Sequence, residues 1–398
     1  MKSSWPTKKL REIAEIYSGG RDGITKKDYV ERGFPAFSAA GQDGFTKEAH
    51  DSGFAVILSS IGSRCGKCFY AEGEWTALAN TQIIKFENPV TAKFMYYYLN
   101  DANKWPKSGT GQPFISPSVV KNLIVPFPPL PIQQKIVKIL DTIQSAVEIQ
   151  EKIIGKTKEL KKSLMAELFK YGAPSFRKGR KLKETEIGEI PKDWEVVRLG
   201  RECEVFSGFA FSSSDFTSEG IPVIKIGNLQ DGTIVLDQRT SFYPKEKLKG
   251  NKNKLSKYIL KEGDVLIALT GATTGKTAVV PREFSGALLN QRVGKFNVFC
   301  KNLNLQFARY FFMSRYFQEK ILESILQSAQ GNVSPKQVEQ VKIPLPSLPE
   351  QQEIAEILQT IDQKIEIEKK KKELYEELFK TMLNKIMNGE IDVEKIEA

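Results

Sequence analysis

The chain has 398 residues, 40% of them hydrophobic and 27% charged, with four cysteines, one histidine and a formal charge of +11. This length allows two to three domains, and the few cysteines exclude a disulfide framework and point to a reducing compartment. No run approaches the roughly 18 apolar residues of a membrane span, and the first ten residues lack a secretion signal, so the expected location is cytoplasmic, without membrane partners. The basic charge favours a polyanionic partner. Residues 1–129 carry 16 basic against 12 acidic side chains, 130–190 carry 13 against 8 and 191–348 carry 22 against 15. The final segment, 349–398, reverses to 8 against 13 and is expected to meet protein rather than phosphate.

Taken in chain order, the first element is a head over 1–129. Val56, Ile57 and Leu58, and the run 82–86, read as short strands, and 93–99 as a helix. The prolines of 126–131 form a stiff exit into a long helix over 130–172. A linker, 173–190, leads to a second head over 191–348, with strands at 265–269 and 295–299 and a helix over 305–323. A second proline exit precedes a second long helix over 349–390 and a tail over 391–398. Gly172 and Gly389 are placed to end the helices.

This order is one unit written twice. Trp5, Leu10, Ser18 and Gly19 recur 189 residues later as Trp194, Leu199, Ser207 and Gly208. Gly62, Gly66 and Lys67 recur as Gly271, Gly275 and Lys276, at an offset of 209. From Ser116-Pro117 against Ser334-Pro335 the offset settles at 218 and persists through both helices. In the helices Ile136, Leu140, Ile143, Leu160 and Leu164, and Ile354, Leu358, Ile361, Leu378 and Met382, form stripes at spacings of three and four. Helices of about 60 Å in one register are expected to pair antiparallel and to dock partner proteins. The fold class is therefore α+β: two mixed α/β heads separated by two long antiparallel helices in a coiled coil, with an internal pseudo-twofold repeat.

Signatures of catalysis fail on spacing. The residues 271–277 have three residues between the glycines where a phosphate-binding P-loop needs four, and residues 278–280 read as strand rather than helix. There is no Asn/Asp-Pro-Pro-aromatic motif, and His50 has no nucleophile partner in view. Cys65 and Cys68 form C-x-x-C without a matching second pair, so no metal is expected. No catalytic residue is assigned.

The chain resembles the specificity subunits of type I restriction-modification systems. The resemblance is carried by residues 184–199, ETEIGEIPKDWEVVRL, and 343–352, IPLPSLPEQQ, with 161–172 and 375–389 resembling that family's helix ends. The first copy departs from the pattern: it lacks 187–191 and reads Ile132 where the second has Glu350. The resemblance implies a subunit whose two target-recognition domains read a split sequence on double-stranded DNA. It further implies two modification subunits docked on the helices and separate restriction subunits. By the same implication S-adenosylmethionine, ATP and Mg are expected in those partners and no cofactor in this chain. Alternatives are a related system with a fused methyltransferase-nuclease partner, and a coiled-coil scaffold without DNA function.

Residues common to both copies cannot make them read different sequences, so base readers are sought where the copies diverge. They are Arg21, Lys26, Gln42, Arg64, Lys107 and Gln112 in the first head, and Lys225, Asn228, Gln230, Arg239, Thr273 and Arg292 in the second. The shared Lys67 and Lys276 are assigned to DNA as phosphate contacts at most.

Overall fold

The computed structural model describes residues 5–20, 23–109, 111–230, 232–299, 301–326 and 332–396. It divides into two units, residues 1–153 with 368–398, and residues 154–367. Each unit combines a head with part of each long helix.

In the first unit the central sheet runs in the order Glu15–Ser18, Thr81–Phe86, Phe54–Ser59, Cys68–Ala71, all antiparallel. Val56 and Leu58 face a core shared with Leu10, Phe94 and Ile136, while Ala55 and Ile57 face a second core around Phe37 and Trp75. A strand buried on both faces has to be apolar throughout, which is why this segment does not alternate. A smaller sheet orders Gly41–Thr46, Phe34–Ser38, Glu74–Ala77 and Asp51–Ser52, with the middle two parallel.

The second unit repeats the plan. Cys203–Ser207, Val293–Val298, Val265–Ala268 and Thr277–Val279 form a sheet of the same order and sense. Val265 and Ile267 face one core, and Leu266 and Ala268 another. Ser241–Tyr243, Ile221–Ile224 and Leu288–Leu289 form the companion sheet, again with one parallel pair. The extra length of this copy supplies a hairpin, Leu229–Gln230 with Thr233–Ile234, and the helices Lys245–Gly250 and Lys252–Leu255.

The single helix expected over 305–323 is two, Leu305–Phe312 and Arg315–Leu326. Buried Ser314 separates them: its N–H closes the first helix on the Phe311 carbonyl at 2.9 Å, and its hydroxyl accepts the Phe317 N–H at 3.2 Å to cap the second.

The exits are short ladders, Thr7–Lys9 with Ile124–Pro126 and Glu195–Arg198 with Lys342–Leu345. Long helices follow at Leu130–Tyr171 and Leu348–Met387. Each start is pinned alike: buried Gln133 donates its side-chain amide to the Pro128 carbonyl, and buried Gln351 to that of Pro346, both at 2.8 Å. In the first unit Ile136 and Leu140 share a core with Ile386, against which Phe379, Met382 and Leu383 pack. In the second, Met165, Leu168 and Phe169 share one with Ile354, Ala355 and Leu358. Within each unit the beginning of one helix thus lies against the end of the other, which is antiparallel pairing.

Candidate nucleic-acid interface and docking helices

Each head is fastened to a long helix by a tyrosine, an aspartate and a lysine. In the first unit Tyr97 donates to Asp141, which also pairs with Lys93 at 3.0 Å. In the second, Tyr310 donates to Asp362 at 2.9 Å, and Lys161 pairs with the same carboxylate at 2.6 Å while lying 5.0 Å from the Tyr310 ring centroid. Burial pushes both phenols up, and the neighbouring carboxylates push them further. They stay neutral donors to the carboxylates at physiological pH.

In the first head the hairpin turn over 60–67 is the centre of the predicted contact residues. Arg64 donates to the Ala40 carbonyl at 2.6 Å, reaching the turn before the strand that carries Gln42. The Gly62 N–H donates to the Pro113 carbonyl at 3.0 Å, which lays the segment holding exposed Lys107 and Gln112 over the turn. Exposed Lys26 is ion-paired to Asp43. Burial alone would raise the Asp43 carboxyl, but hydrogen bonds from Lys26, Tyr29 and Ser38 hold it below its ordinary range. Lys67 is exposed. Arg21 lies outside the described residues.

In the second head Thr273, half-buried, contacts the Ile226 carbonyl through its hydroxyl at 3.5 Å, bringing the matching turn beside the short helix Ile226–Asn228. Gln230 and Arg239 are exposed, the latter paired with Asp237 at 2.9 Å. Lys276 and Arg292 are exposed. Lys225 is half-buried, with its ammonium 2.6 Å from the Ser241 hydroxyl and 4.2 Å from the Phe216 ring centroid, and burial lowers its pKa.

Asn228 is a correction. It is buried; its side-chain oxygen accepts the Lys225 N–H at 2.9 Å, and its amide donates to the Val235 carbonyl at 3.0 Å and the Thr240 hydroxyl at 3.2 Å. Buried, and with its amide group and oxygen all engaged within the loop, this side chain shapes the loop and is not presented to a base edge.

Two of the ten helix positions are corrected in their pairing role alone. Leu160 and Leu378 are 53% and 43% exposed and do not belong to the pairing stripe. The inward positions are those one residue later, Lys161 and Phe379, since one residue turns a helix by about 100°. Ile136, Leu140, Ile354 and Leu358 are fully buried, and Ile143, Leu164, Ile361 and Met382 half-buried. Two pairs of exposed apolar positions within the helices repeat at the 218-residue offset, Ile149 with Ile367, at 53% and 52%, and Leu160 with Leu378, whereas Leu374, at 64%, has Lys156 as its counterpart.

A node at the linker escaped notice. Glu350 accepts both Arg180 guanidinium nitrogens, at 2.5 and 2.7 Å, the Trp194 indole N–H at 2.9 Å and the Ala173 N–H at 3.1 Å. The departure at Glu350 from Ile132 of the first copy was its only trace in the sequence. Cys65 and Cys68 are buried with thiols on the Ser60 and Leu99 carbonyls, and burial pushes the Cys68 thiol up, so they serve as core residues. Among the described residues no helix is long and apolar enough to cross a membrane.

Two heads of one fold, alike in frame and unlike in their exposed loops, define a duplicated binding protein. Comparison with known proteins specifies the kind. The family model for the type I restriction modification DNA specificity domain matches residues 2–159 and 191–377. The chain is 30% identical to the type I restriction enzyme MjaVIII specificity subunit of Methanocaldococcus jannaschii, covering 98% of this chain and 94% of that one. It is 28% identical, with the same coverage, to a putative MjaX specificity subunit of that organism. Its fold matches the S subunit of M. genitalium with a TM-score of 0.56 at 18% identity, over 96% of this chain and 95% of that one. A chain from a structure addressing complex assembly and conformational transition of the type I R-M system gives 0.57 at 17% identity, over 98% and 99%. The chain belongs to the family of type I restriction-modification specificity subunits, whose members recognise DNA targets and organise the complex while catalysis lies in partner subunits.

Proposed function

We propose that the heads, over 1–129 and 191–348, each read one half of a split sequence on double-stranded DNA. The helices, over 130–172 and 349–390, set the distance between the half-sites, with 173–190 as linker and 391–398 as tail. The observation that carries this reading is the duplication itself: two heads with the same strand order differ in their exposed loops. Lys26, Gln42, Arg64, Lys107 and Gln112, and Gln230, Arg239 and Arg292, are the base-reading candidates with exposed side chains. In the cytoplasm, two modification subunits would supply S-adenosylmethionine chemistry, and restriction subunits ATP- and Mg-dependent translocation and cleavage. Methylome sequencing of cells with and without the gene tests the whole reading: the expected result is one split methylated motif that disappears on deletion.

Arg239→Ala is expected to change the sequence accepted at one half-site, because a good bidentate base contact discriminates by about 1–3 kcal/mol. An equal loss on every sequence would reject Arg239 as a reader.

The doubled exposed apolar positions support docking of two copies of one partner. Each unit carries one leucine and one isoleucine of the set, Leu378 with Ile149 in the first and Leu160 with Ile367 in the second. Leu160→Asp and Leu378→Asp should each remove one modification subunit from the co-purified complex and leave the melting temperature unchanged, since neither side chain is in a core. Retention of both subunits by the double variant rejects these positions.

A further inference from the structure

One surface turn is built twice with the same backbone bonds. In the first head Gly66 N–H donates to the Ser59 carbonyl at 2.9 Å, Ser59 to Lys67 at 2.8 Å, Cys65 to Gly62 at 3.0 Å and Lys67 to Arg64 at 3.0 Å. In the second, 209 residues on, Gly275 donates to Ala268 at 2.8 Å, Ala268 to Lys276 at 2.9 Å, Thr274 to Gly271 at 3.0 Å and Lys276 to Thr273 at 3.0 Å. Both glycines of each turn are left-handed, with φ of +98° and +95° in the first and +83° and +86° in the second. The same neighbour covers each turn: the Ile115 N–H donates to Ser60, and that of Val333 to Leu269, both at 2.9 Å.

What each turn leaves unused is also the same. Among the described residues the successive amides of Ser63 and Arg64, and of Ala272 and Thr273, donate to no acceptor. Lys67 and Lys276, which close the turns, are exposed and have no carboxylate partner among those residues. Successive unpaired N–H groups beside an ammonium form a receptor for an oxyanion. The surrounding side chains differ between the heads, so the ligand common to both turns must be chemically identical at both half-sites. On DNA only the phosphodiester backbone meets that condition.

We infer that residues 62–67 and 271–276 are paired phosphate clamps, one per head, in which Lys67 and Lys276 seat a backbone phosphodiester and so fix the register of the reading loops. The clamp is stiff because it caps a strand buried on both faces. It also adjoins the readers: in the first head Arg64 is part of the turn, and in the second Thr273 carries the turn to the short helix after Lys225.

This inference rests on the DNA-reading role, and its test separates the two. Lys67→Ala, Lys276→Ala and the double variant, assembled with modification subunits, are titrated across salt with a mixed-sequence duplex and with the split motif from the methylome. Each single variant should lose affinity by the same factor on both duplexes and reduce the slope of log K against log salt by about one, the double variant by about two. A neutral methylphosphonate walked along each half-site should reveal one linkage that costs the wild type affinity and costs the matching variant nothing more. Unchanged slopes, or a changed half-site preference, overturn the clamp. Absence of wild-type binding to any duplex at low salt would instead overturn DNA reading itself.

Discussion

Glu350→Ala should cost the second unit roughly 3–5 kcal/mol, the usual penalty for stranding one member of a buried ion pair. The Arg180 side chain is 6% exposed and that of Glu350 1%, and the carboxylate also holds the Trp194 indole and the Ala173 amide. Asp193, at 2.6 Å from Arg180, is too exposed to replace it. Trp194 is the only tryptophan in 154–367, so in a variant with the other three replaced by Phe its fluorescence reports this unit alone in a urea titration. The first copy has Ile132 at this place, and a fully apolar site is usually no less stable than a buried pair. Arg180→Met with Glu350→Ile should therefore recover only the part of the loss that comes from the stranded guanidinium, because the buried Trp194 and Ala173 N–H groups still lose their acceptor. A drop below about 1 kcal/mol for Glu350→Ala would mean that the pair behaves as a surface bridge.

Removing seven residues from the middle of both long helices should abolish methylation of the native motif and create methylation of one with a shorter gap. Seven residues are about 10 Å of helix, or close to three base pairs. A heptad removed from both helices keeps Ile136 and Leu140 against Ile386, and Leu168 against Ile354 and Leu358, so each unit retains its core. The same deletion in one helix alone breaks that match and should cost assembly. An unchanged gap in the double deletion would reject the helices as a ruler.

How much of this was legible depends on what each residue's role demands of its type. Strands buried on both faces must be apolar, so the runs 56–58 and 265–269, inside or overlapping the strands Phe54–Ser59 and Val265–Ala268, are legible as continuous apolar segments. Ser116 and Ser334 cap the helices that begin at Pro117 and Pro335, a short-range requirement that left the same dipeptide in both copies. Longer-range roles left fainter marks. Arg180 and Glu350 lie 170 residues apart, and nothing local in either announces the other. Asn228 looks like any polar loop residue, because burial of a small amide is decided by the chain folding over it. Leu160 and Leu378 fit a spacing of three and four as well as true core positions do, and only Lys161 and Phe379 facing inward reveal that the stripe passes them by. The turns at 62–67 and 271–276 were visible as a motif, but their equivalence as hydrogen-bond circuits was not.

The division of the chain also sets the order in which the two cores can close during synthesis. The second unit is a continuous stretch, 154–367, and can complete its core as soon as that stretch has left the ribosome. The first unit closes only with Ile386 and Val393, both buried in its core, so the head made first must wait for residues made after the whole second unit. Until then Ile136 and Leu140 have the head's own core residues beside them but lack the cover of Ile386. A nick or early stop near the C-terminus therefore strikes the opposite end of the sequence: it exposes the core of the N-terminal head and leaves the C-terminal head whole.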